Sequence, residues 1–360
     1  MSGCLIQVVP EIPPDIGGVA DYAELLKLAL AGRGCETLFL APRKVGRPPR
    51  KGVIEFEQSV MGFQSVLRKA LESGPVTGIL VHYVGYGYDP RGCPGWLVSG
   101  LEQLNPAPRI TTIFHELQLS GPPWTIRFWL LPKQKDLIRR LSRMSSCRVV
   151  TSPGAQCDLG LIDPRSEPAR VVAIPSNFGE PPRASWPAVR KSVAVVLGLP
   201  PVRGRVYQAG AAALEVFCRK AALTLIHDVG PNISQTPASI AGVPVKTHGI
   251  LPAEAVSALL LECRVLITSY PARSAAKSTV IAAGMAHGCA IYNCTEAVGP
   301  NDGWSEWKPL GWSGAGWRDA GEAGFATYHR HRSWEVAAEK MSACLFETSN
   351  DVSQSCAENF

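Results

Sequence analysis

The sequence predicts an α/β protein built from two doubly wound, Rossmann-like domains. Three observations carry this. Short apolar runs alternate with helical patterns from one end of the chain to the other, the pattern of parallel sheets covered by helices. The alternation comes in two series, separated by the proline-rich stretch Gly179-Glu180-Pro181-Pro182-Arg183-Ala184-Ser185-Trp186-Pro187, which reads as a linker. The 360 residues also suit two domains of roughly 100–200 residues each.

In the first series, strands are expected at 5–9, 37–40, 78–83, 110–114, 148–151 and 171–174, with helices at 20–31, 62–72 and 133–144. In the second, strands are expected at 192–197, 224–226, 245–247, 265–268 and 290–292, with helices at 205–220, 253–261 and 279–287. A last helix is expected at 336–345. Strands are read from apolar runs such as Leu5-Ile6-Gln7-Val8-Val9, helices from spacings such as Val19, Tyr22, Leu25, Leu26 and Leu30. The expected domains are 1–180 and 190–330, followed by a terminal helix at 331–350.

Hydrophobic residues make up 46% and charged residues 18%, enough apolar content for each half to bury a core. The formal charge of +6 suits an anionic ligand such as a nucleoside diphosphate, or an anionic membrane surface. It is too small to argue for nucleic acid, and no dense Lys/Arg block occurs, so no nucleic-acid partner is expected. The eleven cysteines are scattered, odd in number and free of any C-x-x-C pair. That speaks against a zinc ribbon or a disulfide framework, and for small apolar residues in a reducing compartment. The opening residues lack a charged n-region and a long apolar core, so no signal peptide is expected. With no run of about 18 apolar residues, the expected location is the cytoplasm, including the inner face of the membrane.

The first chemical motif is Pro13-Pro14-Asp15-Ile16-Gly17-Gly18-Val19-Ala20-Asp21-Tyr22, between the first strand and a helix. A glycine pair there lets backbone approach a ligand, and the helix N-terminus offers N–H groups to an anion. A plain strand-to-helix turn is the simpler alternative. With the continuation to Arg33-Gly34, this stretch resembles the opening of family 4 glycosyltransferases of the GT-B architecture. The resemblance implies two Rossmann-like doubly wound domains facing across a cleft. It also implies that Gly17 and Gly18 lie against donor phosphates, with Asp21 and Tyr22 on the acceptor or sugar side.

Further motifs sit at strand ends. His82-Tyr83-Val84-Gly85-Tyr86-Gly87-Tyr88 puts aromatic faces where sugars could stack, with Tyr83 and Tyr86 as candidates; packing for bulk reads equally well. In Thr112-Ile113-Phe114-His115-Glu116-Leu117, the resemblance gives His115 a place near the transferred sugar, and Glu116 beside it is the weaker candidate. In the second half, Val195–Arg205 places Gly198 at the end of a strand, with Arg203 and Arg205 beyond. Family members carry a small residue there and then a diphosphate-binding cation, for which Arg205, taken to open a helix, is the choice. Thr247-His248-Gly249 resembles the turn whose backbone meets the nucleobase. His227-Asp228-Val229-Gly230-Pro231 is either part of that pocket or a turn.

The strongest motif of the second half is Ser269–Gly288. Ser278 would cap a helix, and the N–H groups at Ser278, Thr279 and Val280 would receive the diphosphate, with Lys277 adding charge. The family's two acids would fall at Ala275 and Ala283, and both are missing. The stretch 122–148 carries Trp124, Phe128 and Trp129 with seven Arg/Lys against Asp136. A solvated surface helix is the simpler reading; peripheral contact with an anionic membrane through 124–143 is the other.

Together these imply transfer of a hexose-type sugar from a nucleoside-diphosphate sugar to an acceptor hydroxyl, on a saccharide, a lipid-linked acceptor or a small molecule. The resemblance implies retention of configuration and a final helix crossing back to the first domain. No D-x-D occurs at a strand end, so no metal and no cofactor is expected. The rivals are an inactive GT-B binding or scaffold subunit, which the missing acids favour, and a nucleotide-sugar epimerase of the same fold.

Overall fold

The computed structural model describes residues 3–346 except 14–16, 45, 47, 107, 118–120, 166, 188 and 296–315. The readings at Pro14-Asp15-Ile16 and at the polar C-terminal end lie outside the described residues. The chain divides into two compact units, one of residues 1–172 with the segment from Ala337 onward, the other Ala173–Val336.

The first unit contains β1 (Cys4–Val8), α1 (Gly18–Ala31), β2 (Glu36–Pro42), β3 (Val53–Phe56), α2 (Val60–Glu72), β4 (Val76–Val84) and α3 (Gly85–Tyr88). It continues with α4 (Gly95–Glu102), β5 (Ile110–Glu116), α5 (Ile126–Met144), β6 (Cys147–Val150), α6 (Pro153–Ile162) and β7 (Arg170–Val171). Its seven strands lie in the order β3-β2-β1-β4-β5-β6-β7, every pair parallel. The order reverses between β1 and β4, the position where open α/β sheets bind ligands.

The second unit contains β8 (Lys191–Leu197), α7 (Pro200–Tyr207), α8 (Ala211–Lys220), β9 (Leu225–Val229), β10 (Ser239–Ile240), β11 (Val243–Gly249) and α9 (Ala253–Glu262). Then come β12 (Cys263–Thr268), α10 (Thr279–Ala286), β13 (Ala290–Asn293) and α11 (Trp317–His331). The last helix, α12 (Trp334–Phe346), starts in this unit and ends in the first. The sheet order is β10-β11-β9-β8-β12-β13, parallel except for the β10–β11 pair, and it reverses between β8 and β12. Alternate residues of β8 feed two cores. Val193, Val195 and Leu197 join one, and Ala194 and Val196 the other, so both faces of the sheet are covered.

Several expected bounds shift. The helix read at 133–144 starts at Ile126 and passes through Pro132. Proline commonly opens a helix because its missing N–H is not needed in the first turn, and that drew the expected start too late. The helix read at 205–220 is two helices, broken where Gly210 packs against Cys294. Arg205 therefore closes α7 instead of opening a helix. No helix among the described residues is long and apolar enough to cross a membrane.

Candidate functional site

The first unit gathers its polar interior at the point where strand order reverses. Gln7 lies near the end of β1, His82 near the end of β4 and His115 near the end of β5. Gln7 Oε1 is 2.8 Å from His82 Nε2, and His82 Nδ1 is 3.1 Å from His115 Nε2. The two imidazoles are nearly parallel, 12° apart with centroids at 5.4 Å. Tyr22 of α1 meets His115 edge-on at 5.1 Å and His82 at 5.9 Å. Gln7 and His82 are fully buried, and Tyr22 nearly so.

Burial holds both rings neutral. It carries His82 well below the usual imidazole value, helped by the neighbouring His115, and lowers His115 to about 3. A neutral imidazole has one N–H and one acceptor nitrogen. With the Gln7 carbonyl oxygen accepting from His82 Nε2–H, His82 Nδ1 accepts from His115 Nε2–H. That leaves His115 Nδ1 as an acceptor for a substrate hydroxyl.

At the N-terminus of α1, Gly17 is extended (φ −163°, ψ 136°) and the helix has no side-chain cap. The Glu11 carboxylate lies so close to Gly17 that any Cβ there would collide with it, while a Cβ on Gly18 would meet nothing within 4 Å. A carboxylate is favoured beside a helix N-terminus. The expected phosphate hole at Gly17 is thus already faced by an acid. Asp21 is exposed on the first turn, and Glu116 is exposed at the end of β5. Tyr83 is corrected: it is fully buried in the core, with its ring 5.7 Å from Phe114, and offers no face to a sugar. Tyr86 is half-buried, accepts from Gln134 Nε2 at 3.2 Å and has the Arg127 guanidinium 5.7 Å from its ring centre.

In the second unit, Gly198 follows β8 with φ +132°, and a Cβ there would lie 3.5 Å from Val280. Glycine suits both the left-handed backbone and the close packing on α10. Ser278 caps α10, its Oγ accepting from Ile281 N–H at 3.2 Å. The N–H groups of Thr279 and Val280 make no hydrogen bond among the described residues. Lys277 is half-buried and in no ion pair among the described residues. Behind the cap lies Arg332, 1% exposed. It donates to Ser278 O and to Ile174 O, each at 2.6 Å. Burial lowers Arg332 to about 10, so it stays cationic at neutral pH.

Arg203 takes a structural role. Fully buried, it pairs through Nε with Asp228 Oδ2 at 3.1 Å and donates to Pro231 O at 2.5 Å. Tyr207 OH donates to the same carboxylate at 2.6 Å. Arg205 is exposed in the last turn of α7. The N-terminus of α7 starts with Pro200 and Pro201, which carry no N–H, so α10 is the better anion donor of the two. His227 Nδ1 lies 2.8 Å from His248 Nε2, and burial lowers both. Gly249 has φ +69°, and its carbonyl accepts from Gly230 N–H at 2.9 Å. Ala275 and Ala283 are 1% and 0% exposed within an apolar core. Among the described residues, no group of three or more His, Cys, Asp or Glu could hold a metal ion.

No protein-family profile matches the chain, and no curated protein does. Solved structures do match over nearly the whole length. Sucrose-phosphate synthase from Thermosynechococcus elongatus aligns with 99% of this chain and 100% of its own, with TM-score 0.64 and 14% identity. WaaG, a glycosyltransferase involved in lipopolysaccharide biosynthesis, aligns over 96% and 100% with TM-score 0.59 and 11% identity. An alpha-glucosyltransferase in complex with UDP and a 13-mer DNA aligns over 96% and 99% with TM-score 0.58 and 10% identity. The chain has the GT-B glycosyltransferase fold.

Within this GT-B chain the sequence-read residues form two groups, one in each unit. Gly17, Gly18, Asp21, Tyr22 and His115 surround one end of the first sheet. Gly198, Lys277, Ser278 and Thr279 surround the matching end of the second, with His248 and Gly249 on β11. The sequence reading missed Gln7 as a partner, His82 as the link, and Arg332 as the brace of Ser278. A Gln inside the apolar run Leu5–Val9 was the available signal for the first, since a buried amide needs a partner.

Proposed function

We propose that the protein transfers a sugar from a nucleoside-diphosphate sugar to an acceptor hydroxyl, with retention of configuration and without a metal. The carrying observation is the N-terminus of α10, with two N–H groups making no hydrogen bond among the described residues, a serine cap, Lys277 in no ion pair and a buried cation behind. Such a site stabilises the charge that develops on a leaving diphosphate. As the sugar's anomeric carbon–oxygen bond breaks toward the diphosphate, the acceptor oxygen bonds to that carbon. Its proton passes to the diphosphate. His115 Nδ1 accepts the hydrogen bond that aims the acceptor hydroxyl, with Gln7 and His82 fixing its tautomer. Arg205 is a second cation for the diphosphate, and the His248-Gly249 turn faces the base. The acceptor is a saccharide, a lipid-linked acceptor or a small molecule.

Calorimetry with UDP, GDP and ADP, paired with turnover on the sugar nucleotide that binds, tests this reading. Lys277→Ala should weaken nucleotide binding by about 1.5–3 kcal/mol, the range for a hydrogen bond to a charged group. His115→Ala should keep that affinity and lose transfer. Unchanged affinity in Lys277→Ala would remove α10 as the donor site. A second reading, a nucleotide-binding subunit without transferase activity, is favoured by Ala275 and Ala283. A carboxylate at either buried position would need a partner that the apolar core does not provide. Binding without turnover would select it.

A further inference from the structure

We propose that Cys147 and Cys344 are a reactive thiol pair, oxidised to an intramolecular disulfide by an anionic low-molecular-weight disulfide that docks in the arginine-lined cavity beside Cys147. The geometry starts with the ladder. Cys147 opens β6 and stands opposite Thr111 of β5 in the parallel register. Partners in register project to the same face of a sheet. Thr111 Oγ1 donates to the Cys344 carbonyl oxygen at 3.4 Å, and Arg109 Nη2 donates to the same oxygen at 3.2 Å. Cys344, on α12, is thereby pinned over the face that carries the Cys147 side chain. Both thiols are free, and they lie near enough for each to shift the other's titration.

The pair is asymmetric. Cys344 is 1% exposed, whereas Cys147 is half-buried and lines a cavity of about 140 Å³. Arg148, Arg165 and Arg170 line the same cavity, with Glu167 as its acid. Arg165 reaches Asp163 at 3.3 Å, Arg143 at 3.5 Å and Arg148 at 3.9 Å, so with Arg170 four guanidinium groups stand against two carboxylates. The neighbouring Cys344 thiol lowers the Cys147 thiol, and Arg170 and Arg109 add to this, while burial and Glu167 oppose. Cys147 and burial in turn raise Cys344. Thiolate is the attacking species, so Cys147 attacks and Cys344 resolves.

The chemistry balances as two exchanges. The Cys147 thiolate attacks one sulfur of the incoming disulfide. A protein mixed disulfide forms, and the other half leaves as a thiolate that takes a proton from solvent. Cys344 then loses its proton and attacks the Cys147 sulfur, expelling the second half as a thiolate. One small disulfide is reduced to two thiols while two protein thiols become one disulfide. The bond would fasten α12 to β6.

Glutathione disulfide, whose carboxylates suit the cavity, is the probe. The full-length protein is incubated with it, and the peptides are mapped by mass spectrometry without reduction. The expected result is a Cys147–Cys344 linked peptide formed before exposed Cys157 is modified. Cys344→Ser should instead accumulate glutathione on Cys147, and Cys147→Ser should leave Cys344 reduced. An uncharged disulfide, bis(2-hydroxyethyl) disulfide, should react at least several-fold more slowly at Cys147 than glutathione disulfide does. The proposal is overturned if Cys157 is modified while Cys147 and Cys344 stay reduced. It is equally overturned if Cys344→Ser leaves Cys147 unmodified, or if the two reagents show equal rates.

Discussion

Gln7, His82 and His115 sit on three different strands, 75 and 33 residues apart along the chain, and they meet only because β1, β4 and β5 are neighbours in the sheet. Their burial has a cost that depends on acid. The unfolded chain protonates a histidine near 6.5, the folded protein holds His115 neutral down to about 3, and His287 is lowered to about 4. The unfolded state therefore binds more protons below 6.5, and folding stability falls as pH falls through this window. Thermal melts should be flat from pH 8 to 7 and should decline steeply below about 6.5. Replacing His82 and His287 by Gln should flatten that decline, whatever it does to the melting point at neutral pH. A decline just as steep in that variant would show that other groups carry the acid sensitivity. His115 itself was legible, as a histidine closing an apolar run. Its partners were not, because nothing local links a glutamine in one strand to a histidine in another.

At the scale of elements, α5 and α10 show opposite degrees of legibility. The cap at Ser278 and the apolar run after it announced α10 almost to the residue. Pro132 hid the first turns of α5, and those turns hold its exposed aromatics. Trp124 just before the helix is 85% exposed, and Ile126 and Trp129 within it are 64% and 72% exposed. Arg127, Lys133 and Arg143 add exposed positive charge. On the peripheral-membrane reading, a basic helix led by exposed tryptophans would meet an anionic lipid surface through both apolar insertion and charge. Cosedimentation should therefore be stronger with vesicles containing phosphatidylserine than with phosphatidylcholine alone, and it should weaken with salt. Trp124→Ala with Trp129→Ala should cut the vesicle partition constant at least about tenfold, since burying one large apolar side chain contributes about 1.5–3 kcal/mol. Equal binding to both lipids would leave α5 as a solvated surface helix. Misplacing Arg205 was an error of the same kind as misplacing the start of α5. A short helix opened by Pro200-Pro201 and stopped before Gly210 was read as one long helix starting late.

For the whole molecule, the two-series alternation was enough to read two parallel sheets, because each buried strand is a short apolar run bounded by turn residues. Short edge elements such as β3 and β10 escaped because two to four residues carry too little periodicity. The position of the last helix had a different source, the likeness to known enzymes. Its last turns complete the first unit, where Met341, Cys344 and Leu345 are 0%, 1% and 3% exposed. A fragment of residues 1–172 should therefore express poorly or expose apolar surface to a fluorescent dye. The same fragment with 337–346 joined through a flexible linker should recover a cooperative melt. A fully cooperative melt of 1–172 alone would show that the helix is dispensable.

One consequence follows for how the protein is made. A ribosome releases the first 172 residues long before it reaches Ala337, so the first unit waits, unfinished, through the synthesis of the entire second unit. Its open flank is closed only when the segment from Ala337 onward emerges. A premature stop codon shortly before that stretch would thus damage a unit encoded well upstream of it.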